Sequence, residues 1–495
     1  MLERATTPHA PGFVLQHMPG RVRSGVRYAT RALGGRLRAE TVLVLALVLA
    51  LDSADRASLG ALTPSIKASF HISNTDIGVL ASAFSIVGGL ATVPVGVLTD
   101  RVHRVRLLAG SILIWSIAMV ATGLSVTFLM LFVARLFLGV VTATGGPTIA
   151  SLTGDLYHPN ERGRILSWIR SGELIGAGVG FVLAGGAAAL FGWRGVFIVL
   201  ALIGLLIARG AYKLPEPERG SQGGAATADA PVEEAQRGDI AGQLVHEEHI
   251  PPERENIVRG DDKAQRSLWW AVKYVLRVRT NVIVIVASSV GDFFFAGLQL
   301  FAVEFAVHQY GIGKYTATAL IPVVGIGALV GMLTAGRLTD RLLARRNLTA
   351  RISVSAWSFV VGSIVLVPGF LSHSMFISLP LFVVGGACLA APNPPLDAAR
   401  LDVIDPELWG RAEGVRTLFR IAAQAISPLV FGVLSDTLAG GRADGLQLAF
   451  LLMTPTLLLN GVILFFALRT YPRDVASAQA SAELTAKRRV RDVTA

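Results

Sequence analysis

The chain has 495 residues, of which 52% are hydrophobic and only 16% are charged, and its mean hydropathy is +0.57. Soluble domains of this total length would need more polar residues to cover their surfaces. The composition therefore indicates a membrane protein with many spans. The net charge of +11 does not indicate a nucleic-acid groove, because the basic residues lie in short segments between apolar runs and near both termini. The single cysteine, Cys388, excludes an internal disulfide and a multi-cysteine metal site.

The first 40 residues are rich in arginine and precede the first apolar run, which begins near Thr41. That run starts too far from Met1 for a cleaved signal peptide, and further apolar runs follow it. Residues 1–40 are therefore predicted to form a basic cytoplasmic arm.

Twelve apolar segments follow, each close to the 20 or so residues that one membrane crossing requires. The first six are predicted near 41–63, 77–98, 107–127, 129–152, 165–190 and 194–212, and the second six near 281–306, 316–338, 351–371, 375–399, 414–436 and 446–469. We call them spans 1 to 12. The predicted fold class is an all-α integral membrane protein with two pseudo-symmetric six-helix bundles, over 41–213 and 281–470.

The basic residues of the short loops predict the orientation of the spans. One side holds Arg101, Arg104, Arg106, Arg162, Arg164, Arg341, Arg345, Arg346 and Arg411, whereas the other holds mainly Lys67, Arg194, Lys314 and Arg442. Loops rich in Lys and Arg stay in the cytoplasm, so both termini and the tail 471–495 are predicted to be cytoplasmic. The predicted location is a bacterial inner membrane.

Two segments between spans 6 and 7 differ from the rest of the chain. Residues 214–267 are rich in Glu, Arg, Pro, Gly and Ala and almost lack aromatic residues, which predicts a flexible linker. Residues 268–280 combine Trp and Tyr with basic residues at helical spacing, which predicts an interfacial amphipathic helix leading into span 7.

A short motif occurs twice, as Gly96-Val97-Leu98-Thr99-Asp100-Arg101 after span 2 and as Gly336-Arg337-Leu338-Thr339-Asp340-Arg341 after span 8. Such repetition predicts two equivalent halves. The predicted cytoplasmic gate consists of the acidic and basic residues of both copies together with two residues near the inner end of span 10: Asp100, Arg101, Asp340, Arg341, Asp397 and Arg400.

Charges inside spans are costly, about 2.5–3.5 kcal/mol each at the bilayer centre, so they are expected to pair or to face water. In span 1, Asp52, Asp55 and Arg56 are spaced to share one helix face. This face is interpreted either as a proton and anion site on a central cavity or as a structural ion pair between helices.

Two further spans of the first half carry candidate charges. Arg135 in span 4 suits bidentate binding of a phosphate or carboxylate, although it is also interpreted as an anchor near the end of the helix. In span 5, Arg170 and Glu173 are three residues apart; either they neutralise each other or they act in substrate and proton binding.

The second half adds candidates in spans 7 and 10. Asp292 lies beside Phe293-Phe294-Phe295 and is a proton-coupling candidate together with Asp52, Asp55 and Glu173. Glu304 and His308 are predicted to be solvated at the outer surface. Pro392-Asn393-Pro394-Pro395 predicts a break in span 10. The substrate-binding candidates are Arg56, Arg135, Arg170, Gln299 and Asn393.

Twelve spans, a central linker and the duplicated motif resemble the major facilitator superfamily, although His103 replaces a common glycine after the first copy. Within it the chain is most similar to the spinster-like lipid transporters. Asp52-Ser53-Ala54-Asp55-Arg56 is similar to their Asn-Tyr-Met-Asp-Arg, Arg135-Leu136-Phe137-Leu138-Gly139 to Arg-Gly-Leu-x-Gly, and Gly176-Ala177-Gly178-Val179-Gly180 to Gly-Ser-Gly-Leu-Gly. Thr142 differs, since those proteins often have an acidic residue there.

This resemblance implies a proton-coupled secondary transporter that moves an amphipathic anion, a lysophospholipid or related lipid, by alternating access. A symporter for carboxylates or sugar acids and a multidrug efflux antiporter are the alternatives. The expected partners are the lipid substrate, protons and membrane lipids, and the chain is expected to be a monomer. Neither a metal site nor a nucleotide loop nor a nucleophile with a partnered base is recognisable, so no cofactor and no enzymatic activity are predicted.

Overall fold

A computed structural model of the chain describes residues 36–157, 159–217, 240–258, 268–404, 408–438 and 444–494. Within these ranges the regular secondary structure is helical, without strands, as the sequence predicts. The predicted arm 1–40 lies almost entirely outside the described residues.

The first half contains six helices. They are α1 (Arg36–Phe70), α2 (Asn74–Arg101), α3 (Arg104–Gly123), α4 (Phe128–Thr142), α5 (Gly145–Leu156) and α6 (Pro159–Tyr212). The predicted span 4 corresponds to α4 and α5. Spans 5 and 6 both lie in α6, which bends at Gly192, where a φ of 67° departs from helical geometry.

The linker and the second half contain nine α-helices and one short 3-10 helix, Arg254–Asn256, among the described residues. The α-helices are α7 (Ile240–Glu247), α8 (Leu268–Val275), α9 (Arg279–Tyr310), α10 (Lys314–Ala344), α11 (Ala350–Leu371), α12 (Met375–Ala390), α13 (Asn393–Val403), α14 (Trp409–Leu438) and α15 (Gly445–Thr494). The predicted break in span 10 is confirmed, since α12 ends before Pro392 and α13 begins after it. Proline lacks the N–H that a continuous helix needs.

Ten segments of the described residues are long and apolar enough to cross a membrane. One of them, Trp168–Tyr212, has 45 residues, which at 1.5 Å per residue far exceeds a hydrocarbon core of about 30 Å and accommodates two spans. The remaining crossing is α1, whose apolar character is interrupted by Asp52, Asp55 and Arg56. With both counted, the described residues contain all twelve predicted spans.

Glycines bring α6 into direct backbone contact with α1. Gly172, Gly176 and Gly180 face α1 at intervals of one turn, and a Cβ on Gly176 would lie 2.1 Å from the carbonyl oxygen of Ala50. No side chain fits at that distance, so the contact requires glycine. Glycines at intervals of four residues permit close helix approach, and α6 makes such a contact with α1.

Gly176→Val is expected to destabilise the protein strongly, because the new side chain would overlap with the α1 backbone. Overpacking of a core typically costs about 1–3 kcal/mol, and a clash with main chain is less easily relieved. Thermal unfolding of detergent-solubilised protein measures the loss. Gly178→Val is the matched control, since no heavy atom lies within 4 Å of a Cβ there; equal effects of the two variants would contradict this account.

Part of the predicted flexible linker is ordered. Helix α7 buries Ala241, Leu244 and Val245, and the N–H of Glu253 donates a 2.8 Å hydrogen bond to Ser477 Oγ on α15. The apolar residues of α7 recur at helical spacing inside a polar region, and the overall composition conceals them. Residues 218–239 and 259–267 of the linker lie outside the described residues.

The two segments predicted to flank the second bundle are both helical. A helix is present where the interfacial helix 268–280 is predicted, although α8 is shorter and ends at Val275. The rings of Trp270 and Tyr274 stack on it with centroids 5.6 Å apart. The predicted tail 471–495 continues α15 as helix as far as Thr494.

The two halves meet mainly along three helix pairs, α1 with α9, α2 with α14, and α6 with α10. We call the end of the bundle that carries the two motif copies the motif end, and the opposite end the far end. The loop between α1 and α2 and the loop between α9 and α10 both lie at the far end.

Candidate functional site

A buried ion pair joins α1 to α4. Both carboxylate oxygens of Asp55 accept hydrogen bonds from Arg135 Nη1, at 2.8 and 2.9 Å, and the two side chains are only 0% and 2% exposed. The guanidinium also lies over the ring of Phe197, 4.6 Å from its centroid. Arg135 Nε and Nη2 are buried with no hydrogen-bond partner among the described residues. Each charge thus depends on the other, because a buried charge without a partner is strongly destabilising.

A second, more accessible ion pair lies on the same helix. Arg56 Nη2 is 3.1 Å from Asp52 Oδ2, and the two side chains are 46% and 32% exposed. The three charges of span 1 therefore divide into two pairs, and Asp55 bonds to Arg135 of α4. The structure forms both the structural pair and the accessible charged face that the sequence left open.

The second half contributes Asp292 and Arg420. Arg420 on α14 donates from Nε to Asp292 Oδ2 on α9, and its Nη2 lies 3.3 Å from Asp292 Oδ1. The side chains are 17% and 32% exposed. Sequence reasoning singled out Asp292 and missed Arg420. The available signal was the cost of a cation inside span 11, which implies a partner.

The charges of the two halves converge on one region between them. Glu173 and Arg170 are both exposed on α6. Glu173 interacts electrostatically with Arg170, Asp52 and Arg56 of its own half and with Arg420 of the other half. The pairing of Arg170 with Glu173 alone is therefore an incomplete description. Both belong to a larger group of charges between the halves, which we call the charged cleft: Asp52, Arg56, Arg170, Glu173, Asp292 and Arg420.

The remaining substrate candidates occupy different positions. The backbone carbonyl of Gln299 lies at the contact of α9 with α1, 2.4 Å from where a Cβ on Gly60 would be. Asn393 is exposed at the start of α13. The role of Gln299 and Asn393 in substrate binding remains a prediction.

Toward the motif end, four charged residues connect α13 to α14. Arg416 Nη2 lies 2.7 Å from Asp397 Oδ1, and Arg400 pairs with Glu413. Asp397 and Arg400, both predicted gate residues, are thus in one cluster, and sequence reasoning missed Arg416. Arg170 of the first half acts electrostatically on Arg400 and Arg416, so this cluster borders the charged cleft.

Each half also has an ion pair at the motif end that fastens the helix following the repeated motif. Arg104 at the start of α3 pairs with Asp155 of α5, and Arg351 at the start of α11 pairs with Asp402 of α13. The partners are 51 positions apart in both cases. This correspondence supports the two equivalent halves predicted from the repeated motif.

Glu216 strengthens the first of these pairs. Burial acts to raise the pKa of its carboxyl, but hydrogen bonds from the Val105 N–H and from Arg104 outweigh burial and hold the pKa below its ordinary value. The Val105 N–H lies 2.7 Å from Glu216 Oε2, and Arg104 Nε lies 2.9 Å from Oε1. Glu216 is thus ionised at neutral pH and anchors the end of the first half.

The predicted gate residues of the motif copies are only partly described. Arg101, Asp340 and Arg341 are exposed at the motif end, and the side chain of Asp100 lies outside the described residues. Their role in a gate remains a prediction.

At the far end, a buried glutamate links the two halves. Glu304 Oε1 on α9 is 2.7 Å from Lys67 Nζ on α1 and 3.0 Å from His308 Nε2, and its side chain is 3% exposed. The prediction that Glu304 is solvated is therefore wrong. The partner that allows its burial, Lys67, is 237 positions away in the chain, so local sequence could not reveal it.

A helix cap is a second contact between the two halves at the far end. Asp436 on α14 accepts hydrogen bonds from the N–H and the hydroxyl of Thr75, at 2.6 and 2.5 Å, in the first turn of α2. A carboxylate there satisfies free N–H groups and suits the helix dipole. The two contacts therefore hold the halves together at the far end.

The sequence profile of the Major Facilitator Superfamily matches residues 45–356. The chain is a member of the Major Facilitator Superfamily. It therefore belongs to a family of multi-pass membrane transporters, and the resemblance inferred from its motifs is confirmed.

Curated relatives of this chain include spinster homologs, sugar-acid transporters and the "Quinolone resistance protein NorB" of Staphylococcus aureus, which is 33% identical over 143 residues, 28% of this chain and 31% of that protein. The "Probable sphingolipid transporter spinster homolog 1" of Arabidopsis thaliana is 24% identical over 396 residues, which cover 78% of this chain and 77% of that protein. The "Probable L-galactonate transporter" of Escherichia coli (strain K12) is 28% identical over 179 residues, 36% of this chain and 40% of that protein. This chain spans only about two fifths of the length of the sugar-acid transporters that it matches.

Among solved structures, a bacterial homolog of the human lysosomal transporter Spinster, in an inward-facing and occupied conformation, superposes with a TM-score of 0.71. The match covers 89% of this chain and 99% of that one at 17% identity. At this identity the likeness establishes the fold, which is the twelve-helix fold of the superfamily.

Metal chemistry has no visible site in the part of the chain that is described. No group of three or more His, Cys, Asp or Glu side chains there is arranged to hold a metal ion. Asp52, Asp55 and Asp292 are each engaged in an ion pair with an arginine.

Proposed function

We propose that this transporter is a proton-coupled secondary carrier of an amphipathic organic anion, with a lysophospholipid or related lipid as substrate, working by alternating access. The observation that carries the proposal is the pairing of one fully buried carboxylate, Asp55, with Arg135, beside a cleft with accessible arginines from both halves. The buried carboxylate suits proton exchange, and the accessible arginines suit the binding of an anion.

Asp55 is the proton-binding group in this proposal. Protonation removes its charge and weakens the two hydrogen bonds that it accepts from Arg135, which leaves that guanidinium without a counter-ion. Binding of a second anion by Arg135, or a rearrangement of α1 against α4, then becomes favourable. Movement of one such charge through the membrane potential supplies about 2.3 kcal/mol per 100 mV.

Arg56 and Arg420 bind the anionic group of the substrate. They lie on opposite halves, and both are partly exposed. Guanidinium suits phosphate and carboxylate groups because it donates two parallel hydrogen bonds and stays charged. A substrate that contacts both arginines connects the halves, so its binding can favour the change from one access state to the other.

The lipid is preferred over a small anion because the likeness to the spinster homolog extends over most of both chains. The charge-rich cleft with Asp52 and Glu173 also suits a small hydroxylated anion, and the L-galactonate transporter is more similar locally. Transport of a carboxylate or sugar acid is therefore the second candidate.

Binding and uptake by purified protein in liposomes distinguish the candidates. With lysophosphatidylglycerol as the probe, Arg56→Gln and Arg420→Gln are each expected to weaken binding about tenfold, since a hydrogen bond to a charged group contributes about 1.5–3 kcal/mol. Arg106→Gln, an exposed cation on α3, is the control and is expected to bind as the unaltered protein does. Binding of galactonate in place of the lipid, with the same loss in the two variants, would select the second candidate, and uptake indifferent to a pH gradient would contradict proton coupling.

A further inference from the structure

An apolar groove runs between α9 and α14, with α15 behind it. It has a volume of about 310 Å³ and is lined mainly by aliphatic and aromatic side chains, among them Leu276, Ile285, Val286, Phe293, Phe419 and Ala423. The groove is open to its surroundings, because Leu276, Val286 and Phe419 are each 41% to 44% exposed. The ion pairs of the charged cleft do not line this groove.

The depth of the groove matches one leaflet of a bilayer. Its lining residues on α9 extend from Val282 to Phe293, which corresponds to about 17 Å of helix at 1.5 Å per residue. One leaflet contributes about half of a hydrocarbon core that is roughly 30 Å thick. An acyl chain that enters near Leu276 therefore reaches the bottom of the groove near the bilayer centre.

Basic and aromatic residues lie close in the sequence to Leu276, at one end of the groove. Leu276 directly follows α8, and three exposed cations, Lys273, Arg277 and Arg279, lie within three residues of it. Arg277 is partly neutralised by Glu255, 2.7 Å away. Tryptophan and basic residues on a short helix at a span end are typical of a segment that lies among lipid headgroups.

We propose that this groove binds one acyl chain of an anionic phospholipid of the surrounding bilayer, with the phosphate of that lipid held by Lys273 and Arg279. Basic pockets beside the ends of transmembrane helices suit anionic headgroups, and the apolar lining suits the chain. The bound lipid contacts both α9 and α14, the helices that also carry Asp292 and Arg420. It thereby stabilises the helix pair that presents the arginine of the second half to the cleft.

The site is distinct from the proposed substrate site, because its cations lie at the motif end of α9 and Arg420 is not among its lining residues. The proposal therefore stands whether the transported anion is a lipid or a sugar acid. Its occupant is a resident lipid and is not consumed by transport.

Native mass spectrometry of the full-length protein, titrated with phosphatidylglycerol or phosphatidylcholine, tests this site. We expect one phosphatidylglycerol to bind about tenfold more tightly than phosphatidylcholine. Ala423→Trp, which fills the groove, is expected to lower phosphatidylglycerol affinity at least tenfold. Ala422→Trp is the matched control, since Ala422 is exposed and does not line the groove.

A charge variant keeps the test decisive if Ala423→Trp does not fold. Lys273→Gln with Arg279→Gln is expected to abolish the preference for phosphatidylglycerol, whereas Arg106→Gln with Arg345→Gln, two exposed cations at the motif end, preserves it. Equal affinity for the two lipids in the unaltered protein would overturn the proposal. So would a variant pair that loses lysophosphatidylglycerol binding but keeps phosphatidylglycerol binding, because the groove would then hold the tail of the transported substrate.

Discussion

Asp55→Asn is expected to abolish proton-driven accumulation of substrate in liposomes while exchange of substrate across the membrane continues. The amide cannot take up a proton, so the step that couples transport to the pH gradient is lost. Exchange needs only the movement of the loaded carrier and does not require net proton release. Measurement of both activities in one preparation separates loss of coupling from loss of protein.

The variant also leaves Arg135 as a buried cation without a counter-ion, at a cost of about 3–5 kcal/mol. A double variant, Asp55→Asn with Arg135→Gln, removes both charges and is expected to recover thermal stability without recovering accumulation. Asp52→Asn is the control, because its pair with Arg56 is partly exposed and such pairs contribute little to stability. Accumulation at the normal rate in Asp55→Asn would assign the coupling proton to another carboxylate, with Asp52, Asp292 and Glu173 as the remaining candidates.

Glu304→Gln is expected to open the far end in a measurable fraction of molecules. Loss of the Lys67–Glu304 ion pair removes the charged contact between α1 and α9, and the loss of one partner of a buried pair costs up to about 3 kcal/mol when the other partner is partly exposed. Each 1.4 kcal/mol changes the ratio of two states tenfold. The population open at the far end is therefore expected to rise, by up to about a hundredfold.

Distances between spin labels at His71 and His373, exposed loop residues of the two halves at the far end, report this opening. Replacement of the only cysteine, as Cys388→Ala, provides the background for labelling. Arg346→Gln is the control, since its ion pair with Glu247 is 75% and 53% exposed and lies away from the far end. An unchanged distance distribution in Glu304→Gln would mean that the cap of α2 by Asp436 is sufficient to hold the far end closed.

The sequence predicts the spans well because the bilayer imposes their length and apolar character on every crossing. The break in span 10 and the close glycine contacts are also predictable, since proline and glycine act on the backbone where they occur. All of these are local effects that a single segment reveals.

Pairing between distant segments is what the sequence does not reveal. Asp55 bonds to Arg135, 80 positions away, although the adjacent Arg56 is the nearer choice in the sequence. Arg420 and Lys67 likewise acquire their partners only through the packing of α9 against other helices. The sequence therefore predicts that each charge inside a span needs a partner, but which residue is the partner depends on the tertiary structure.

The ion pairs Arg104–Asp155 and Arg351–Asp402 bear on where the chain tolerates an insertion. Their partners are 51 positions apart in each half, yet the junction between α10 and α11, residues 345–349, is longer than that between α2 and α3. The extra residues of the second half thus lie outside the segment that joins the two partners. Exposed positions there, such as Arg346 and Asn347, are suitable places to insert an epitope tag or fluorescent protein, whereas an insertion between Arg351 and Asp402 would shift one partner relative to the other.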